Sequence, residues 1–178
     1  MAKQKKRTKP AGLPKPKKRI VAKKVNPIPE NMRGATPYLY VRNAVAAIDF
    51  YKRAFGAKEL SRMEAPPGMI GHAELKVGTA LFMLSDEYEQ MGLKSPQSYG
   101  GSPVSISLYV KNVDTFVEQA AAAGATILRP VADQFYGDRS GKLEDPFGHT
   151  WMIATHRENV SPKEMKKRAA ALFTAQQT

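Results

Sequence analysis

Two stretches decide how this chain is read. Leu39-Tyr40-Val41-Arg42-Asn43 leads into an apolar-striped segment that ends at Gly56-Ala57, and Leu108-Tyr109-Val110-Lys111-Asn112 leads into another that ends at Gly124-Ala125. The offset is 69 residues at Leu39/Leu108 and 68 at Gly56/Gly124, so the second segment is one residue shorter. Each copy has the same grammar. β-formers come first, then an Asn where a helix N-cap belongs, a helix, and a Gly suited to a left-handed residue past the helix end. A repeat of this length predicts two copies of one supersecondary unit that share a core or face each other.

Before the first helix, Thr36–Val41 reads as a strand, with Pro37 at its start or on an edge. Asn43 should cap a helix over Ala44–Phe55 with Ala44, Ala47, Ile48, Tyr51 and Phe55 as its apolar stripe. Strands follow at Lys58–Met63, Gly71–Val77 and Thr79–Asp86, parted by Ala65-Pro66-Pro67-Gly68 and by Gly78. Glu87–Ser102, with Gly92, Pro96, Gly100 and Gly101, reads as a flexible linker or lid. The second copy runs through a strand at Val104–Val110, a helix from Asn112 to Ala123 and a strand from Thr126 to about Val131. In that helix Val113, Phe116, Val117 and Ala120 should face inward. A short strand or loop at Arg139–Glu144 and a strand at His149–Thr155 complete it. Asp145-Pro146-Phe147-Gly148 has the Pro and Gly placement of a type I turn. The fold class is therefore α+β, two tandem βαβββ modules at about 36–86 and 103–156. A C-terminal helix follows within 161–178, with Ser161 at its N-cap, Pro162 in its first turn and Glu164 at the capping-box position. Its Met165, Ala169 and Leu172 form a face that could dock on a partner.

Composition removes several chemistries. The chain has 178 residues and no cysteine, which excludes disulfides, thiolate metal sites and cysteine nucleophiles. No apolar run approaches the roughly 18 residues that span a bilayer, and no apolar segment follows the basic N-terminus as in a secretory signal. A cytoplasmic setting is the expectation. The net charge of +12 sits in a tail, since residues 1–24 hold 11 of the 28 basic residues and no acid. That leaves 17 basic residues against 16 acidic ones elsewhere. Residues 1–34, basic and punctuated by Pro10, Pro14, Pro16, Pro27 and Pro29, read as a disordered tail. Residues 3–24 serve either as a nucleic-acid-binding arm acting through counterion release or as a solubilising extension. No aromatic interleaves the lysines, so base stacking has no platform.

Specific motifs now add a resemblance. Ala47-Ile48-Asp49-Phe50-Tyr51, Phe55-Gly56-Ala57, Gly71-His72-Ala73-Glu74-Leu75, Phe135-Tyr136-Gly137-Asp138-Arg139 and Asp145-Pro146-Phe147-Gly148-His149-Thr150-Trp151 stand in order along the chain. Over roughly residues 35–165, with the domain itself placed at 35–160, this resembles the vicinal-oxygen-chelate superfamily of glyoxalases, bleomycin-resistance proteins and dioxygenases, and its PhnB-like branch in particular. The resemblance implies that each module curls its strands into half of a cupped mixed sheet. It also implies a small organic ligand bound where the halves face each other, often within a homodimer. Metal-dependent members take one ligand from the first and last strand of each module. The matching positions here are Thr36, Met83, Ser105 and Met152, none a good ligand for a hard divalent ion. No cofactor is therefore expected. A divalent metal on some other set drawn from His72, Glu74, Glu144, His149 and His156 is the alternative. A fold shared with enzymes does not decide whether this chain is one.

Strand parity nominates the rest of the site. If Ala73, Leu75 and Val77 pack on the helix, His72 and Glu74 point into the cup. There the carboxylate could hold the imidazole as a general base, or the pair could simply be a polar strand face. Tyr38, Tyr40, Ser105, Ser107 and Tyr109 share that orientation, as do Met83 and Met152, with Trp151 and Ile153 packed behind. Tyrosines and methionines make an adaptable pocket, or plain core. Arg139, behind Phe135 and Tyr136, could fork onto a carboxylate or phosphate of the ligand, or could pair with Glu144 or Asp145 and hold the turn. His149 is expected to satisfy a local carbonyl. Binding without the metal quartet is the leading expectation. A metal- or His72/Glu74-dependent isomerase, lyase or transferase and a nucleic-acid-associated protein are its alternatives.

Overall fold

The computed structural model describes residues 25–30, 32, 34–66 and 68–175, so the expected tail over residues 1–34 falls mostly outside the described residues. The first module comprises β1 (Tyr38–Val41), α1 (Ala44–Phe55), β2 (Lys58–Ala65), β3 (Met69–Val77) and β4 (Ala80–Asp86). After a short 3-10 turn and the one-turn helix α2 (Pro96–Tyr99), the second comprises β5 (Ser105–Tyr109), α3 (Val113–Ala122), β6 (Thr126–Asp133), β7 (Asp138–Glu144) and β8 (Thr150–His156). Helix α4 (Pro162–Ala175) follows. Each module forms a four-stranded sheet, in the orders β1-β4-β3-β2 and β5-β8-β7-β6. The β1–β4 and β5–β8 pairs are parallel and the others antiparallel, so both sheets are mixed. The repeat in the sequence is thus a repeat in topology.

The helices form where the local chemistry directs. Asn43 Oδ1 accepts the Ala46 N–H at 3.0 Å, and Asn112 Oδ1 accepts those of Asp114 and Thr115 at 3.1 and 3.3 Å. Gly56 closes α1 at φ 62°, a conformation that costs a glycine nothing. A second device also repeats. The Ala44 N–H at the start of α1 bonds Asp86 Oδ1 (2.8 Å), and the Val113 N–H at the start of α3 bonds Thr155 Oγ1 (2.9 Å). The end of the last strand in each module thereby fixes the first turn of that module's helix.

Both sheets turn one side to the helices, and the two helix sides share one core. The expected stripe of α1 is fully buried, and Val113, Val117 and Ala120 of α3 join it. Phe116 is only partly buried, and its ring lies 5.2 Å from that of Phe55. Trp151 lies 4.9 Å from Phe55 and 5.6 Å from Phe82, so the second sheet packs directly on the first module. A buried carboxylate pins this seam. Asp145 accepts from Tyr51 Oη (2.6 Å), Trp151 Nε1 (2.8 Å), and the Phe147 and His149 amides (2.9 and 3.0 Å). Four donors offset the cost of burying the group. Burial and the neighbouring carboxylate raise the Tyr51 hydroxyl well above its ordinary pKa, so it remains a donor.

Several expectations need correction. Glu87–Ser102 is a folded connector, not a flexible linker or lid. The Glu87 carboxylate accepts from the Ser95 amide (2.9 Å), Ser98 Oγ (2.7 Å) and Arg42 Nε (3.0 Å), and Ser95 is buried. Gln97 Nε2 reaches the Pro146 carbonyl at 3.1 Å, tying the connector to the second module. β1 begins after Pro37, which has no N–H to give a ladder. β6 continues to Asp133, with register shifts around Pro130. Arg139–Glu144 belongs to a full strand. His149 precedes β8 because the Asp145 carbonyl accepts the Gly148 N–H at 3.0 Å, closing the type I turn. At α4 only half a capping box forms, because Ser161 Oγ receives the Glu164 amide while the Glu164 side chain pairs with Arg168.

Candidate functional site

With the helices on one side of each sheet, the residues of opposite parity make two open faces. On the first sheet Tyr38 stands beside Met83, which stands beside Glu74 on β3. Ala73, Leu75 and Val77 are buried toward α1, so His72 and Glu74 lie on the open side. Tyr38 Oη and His72 Nδ1 are 3.1 Å apart, a hydrogen bond. His72 Nε2 and Glu74 Oε1 are 3.7 Å apart, an ion-pair distance once the imidazole is protonated but too long for a hydrogen bond. The rings of Tyr40, Tyr38 and His72 form a row, with centroids 5.1 and 5.6 Å apart. The face therefore presents aromatic surface, a thioether, and a Tyr–His–Glu line that can donate, accept or pass a proton.

On the second sheet Ser105, Ser107 and Tyr109 stand beside Thr150, Met152 and Ala154. Met152 is half-buried, while Trp151 and Ile153 pack behind. Tyr109 is 62% exposed, a large value for a tyrosine on a strand. Its hydroxyl donates to Asp138 Oδ2 (2.6 Å), and Asp138 Oδ1 bonds His156 Nδ1 (2.7 Å). Burial alone would push the Asp138 carboxyl up, but the bonds from Tyr109 and His156 outweigh it and hold the group below its ordinary pKa. The same bonds raise His156 and Tyr109. Sequence reasoning missed Asp138. Its signal lay in Phe135-Tyr136-Gly137-Asp138, the turn that leads into β7.

The residue after Asp138 is elsewhere. Arg139 lies on the helix side of β7, where Nε and Nη2 donate to Asp114 of α3 (2.8 and 2.7 Å) and Nη1 donates to Asp133 (3.2 Å). Its fork is committed to these carboxylates, neither of them Glu144 or Asp145. Phe135 and Tyr136 meet edge to face at 5.2 Å, and Tyr136 Oη lies 3.5 Å from the buried Ser140 Oγ. They flank the second open face. No hydrogen bond, ion pair or ring contact among the described residues joins the two open faces, because the modules meet through their helix sides. Instead, a cavity of about 810 Å³ lies between the unpaired edges of β1 and β5. His149 lines it and bonds the Tyr40 carbonyl through Nε2 (3.2 Å), across the module boundary.

The metal positions can be tested on donor chemistry. Met83 and Met152 offer thioethers, Ser105 Oγ is bonded to Thr150 Oγ1 (2.9 Å), and Thr36 offers a hydroxyl. Among the described residues no three His, Asp or Glu side chains converge for an ion. These donors do not fit a hard divalent cation. No helix of the described residues is long and apolar enough to cross a membrane.

Comparison with known proteins agrees with this architecture. Residues 34–153 match the family described as the Glyoxalase/Bleomycin resistance protein/Dioxygenase superfamily. The Mycobacterium tuberculosis protein Rv0887c is 43% identical over 134 residues, covering 74% of this chain and 79% of its own length. The crystal structure of the Arabidopsis thaliana product At5g48480 is 30% identical, covers 68% of this chain and 97% of that one, and superposes with a TM-score of 0.56. A Bacillus cereus PhnB protein shares the fold at 20% identity and a TM-score of 0.54, over 69% of this chain and 99% of its own.

Proposed function

The chain belongs to the Glyoxalase/Bleomycin resistance protein/Dioxygenase superfamily, and from that premise we propose that it binds a small organic ligand on the open face of its first sheet. The observation that carries this reading is the row of Tyr40, Tyr38 and His72, with Glu74 and Met83 beside it. Rings and a thioether grip an apolar body, while the phenol, imidazole and carboxylate orient polar groups. One face is half a pocket. No hydrogen bond, ion pair or ring contact among the described residues joins the two open faces of one chain, so the second half comes from the second sheet of another copy, which brings Ser107, Tyr109 and Met152. The exposure of Tyr109 (62%) and of Met63 on β2 (61%) supports a covered, dimeric state for these surfaces. Because the donors do not fit a hard divalent ion, the reading asks for no metal.

Acid–base turnover is the second reading, favoured by the Tyr38–His72 bond, which sets the imidazole in place beside Glu74. A screen of soluble ring-bearing fragments by equilibrium dialysis separates the outcomes. Hits should weaken about ten-fold, or roughly 1.4 kcal/mol, in Tyr38→Phe and in His72→Ala. Hits indifferent to both changes would sink the binding reading at this face. Consumption of a hit by the wild type but not by His72→Ala would establish the second.

A further inference from the structure

The cavity between the modules shares Tyr38 with the first open face and Ser105 and Ser107 with the second, and draws its apolar walls from the helix side. Those apolar walls are chiefly Leu39, Phe82, Ile106, Leu108 and Trp151, and His149 is among the polar lining residues. About 810 Å³ is within the range that holds a small molecule. The state of His149 follows from its bonds. A carbonyl only accepts, so Nε2, bonded to the Tyr40 carbonyl, carries the hydrogen. Burial lowers the His149 pKa against the raising effects of Asp145 and of the Tyr40 bond, which keeps the ring neutral. Nδ1 is then a bare acceptor, and it has no partner among the described residues. No buried side-chain nitrogen or oxygen among those residues lacks a partner, so Nδ1 is open to solvent. His149 is one of the residues that line the cavity.

We infer that this cavity is a second ligand site, for an apolar ring molecule that carries one hydroxyl or N–H donor and delivers it to His149 Nδ1. The apolar walls supply affinity without direction. The imidazole supplies direction, since an unmatched acceptor in an apolar site favours the ligand that satisfies it. This site needs neither His72 nor Glu74, which do not line it, and no second copy.

The test uses 2-naphthol and 2-methylnaphthalene, a pair of similar shape that differs in the donor. Equilibrium dialysis on the full chain should show 2-naphthol about ten-fold tighter, the worth of one buried hydrogen bond. In His149→Leu the preference should vanish while 2-methylnaphthalene still binds. Ala80→Trp, on the cavity lining, should weaken both. Should either variant fail to fold, the wild type decides alone. The ¹⁵N-histidine spectrum must show the Nε2–H tautomer of His149, with Nδ1 moving upfield on adding 2-naphthol and not on adding 2-methylnaphthalene. Equal affinities, no binding of either compound, or an Nδ1–H tautomer would overturn the inference.

Discussion

Asp145 does at one residue what the module seam requires. It takes the Tyr51 hydroxyl from α1, the Trp151 indole from β8 and two amides of its own turn, so one carboxylate joins three segments. Removing the hydroxyl in Tyr51→Phe leaves the ring packing intact and deletes one hydrogen bond to a charged group, worth about 2 kcal/mol. Urea denaturation should show that loss with an unchanged m-value, which means less stability and no change in compactness. The turn was legible in Asp-Pro-Phe-Gly, but the partners of Asp145 were not. Tyr51 is 94 residues away, and no local pattern announces a contact of that range. Arg139 teaches the same point in reverse. Aromatics and a glycine before it suggested a ligand clamp, yet strand parity places it toward α3, where Asp114 waits.

Among the elements, the helices and their caps were read almost to the residue, because Asn, the apolar stripe and Gly all act within a few positions. The connector differs from its expectation for a physical reason. Glycines and prolines report where a chain can turn, not whether a side chain elsewhere will hold it. Glu87 holds it. Burial pushes its carboxyl up, but the Ser95 and Ser98 donors and Arg42 outweigh that and bring it down to about 2 from an ordinary 4.5. A carboxyl lowered in the folded state adds stability above its unfolded pKa and loses it as pH falls through its folded one. The contribution should be complete above pH 4.5 and drain away toward pH 2. In Glu87→Gln, melting temperatures should therefore lie below those of the wild type near neutrality, with the gap closing across that window. A gap that stays constant with pH would mean that the carboxylate charge plays no part in holding the connector.

For the whole molecule, the repeat specified two modules but left open how they meet. Either the open faces or the helix sides could have come together, and the sequence does not rank them. The aromatic cluster of Tyr51, Phe55, Phe82, Phe116 and Trp151 settled it, because these helix-side rings pack on one another across the module boundary. The consequence is two open faces with no hydrogen bond, ion pair or ring contact between them among the described residues, each of which the proposed function makes half of a pocket. The proposed function requires that a ligand bridge such halves from two copies. The direct measurement is a ¹³C-methyl spectrum of methionine-labelled protein titrated with a fragment that binds it. Met83 marks the first face and Met152 the second, and the account predicts that both shift together at one saturating concentration, in a particle of twice the chain mass. A shift of Met83 alone in a single-chain particle, or of neither methyl, would contradict it.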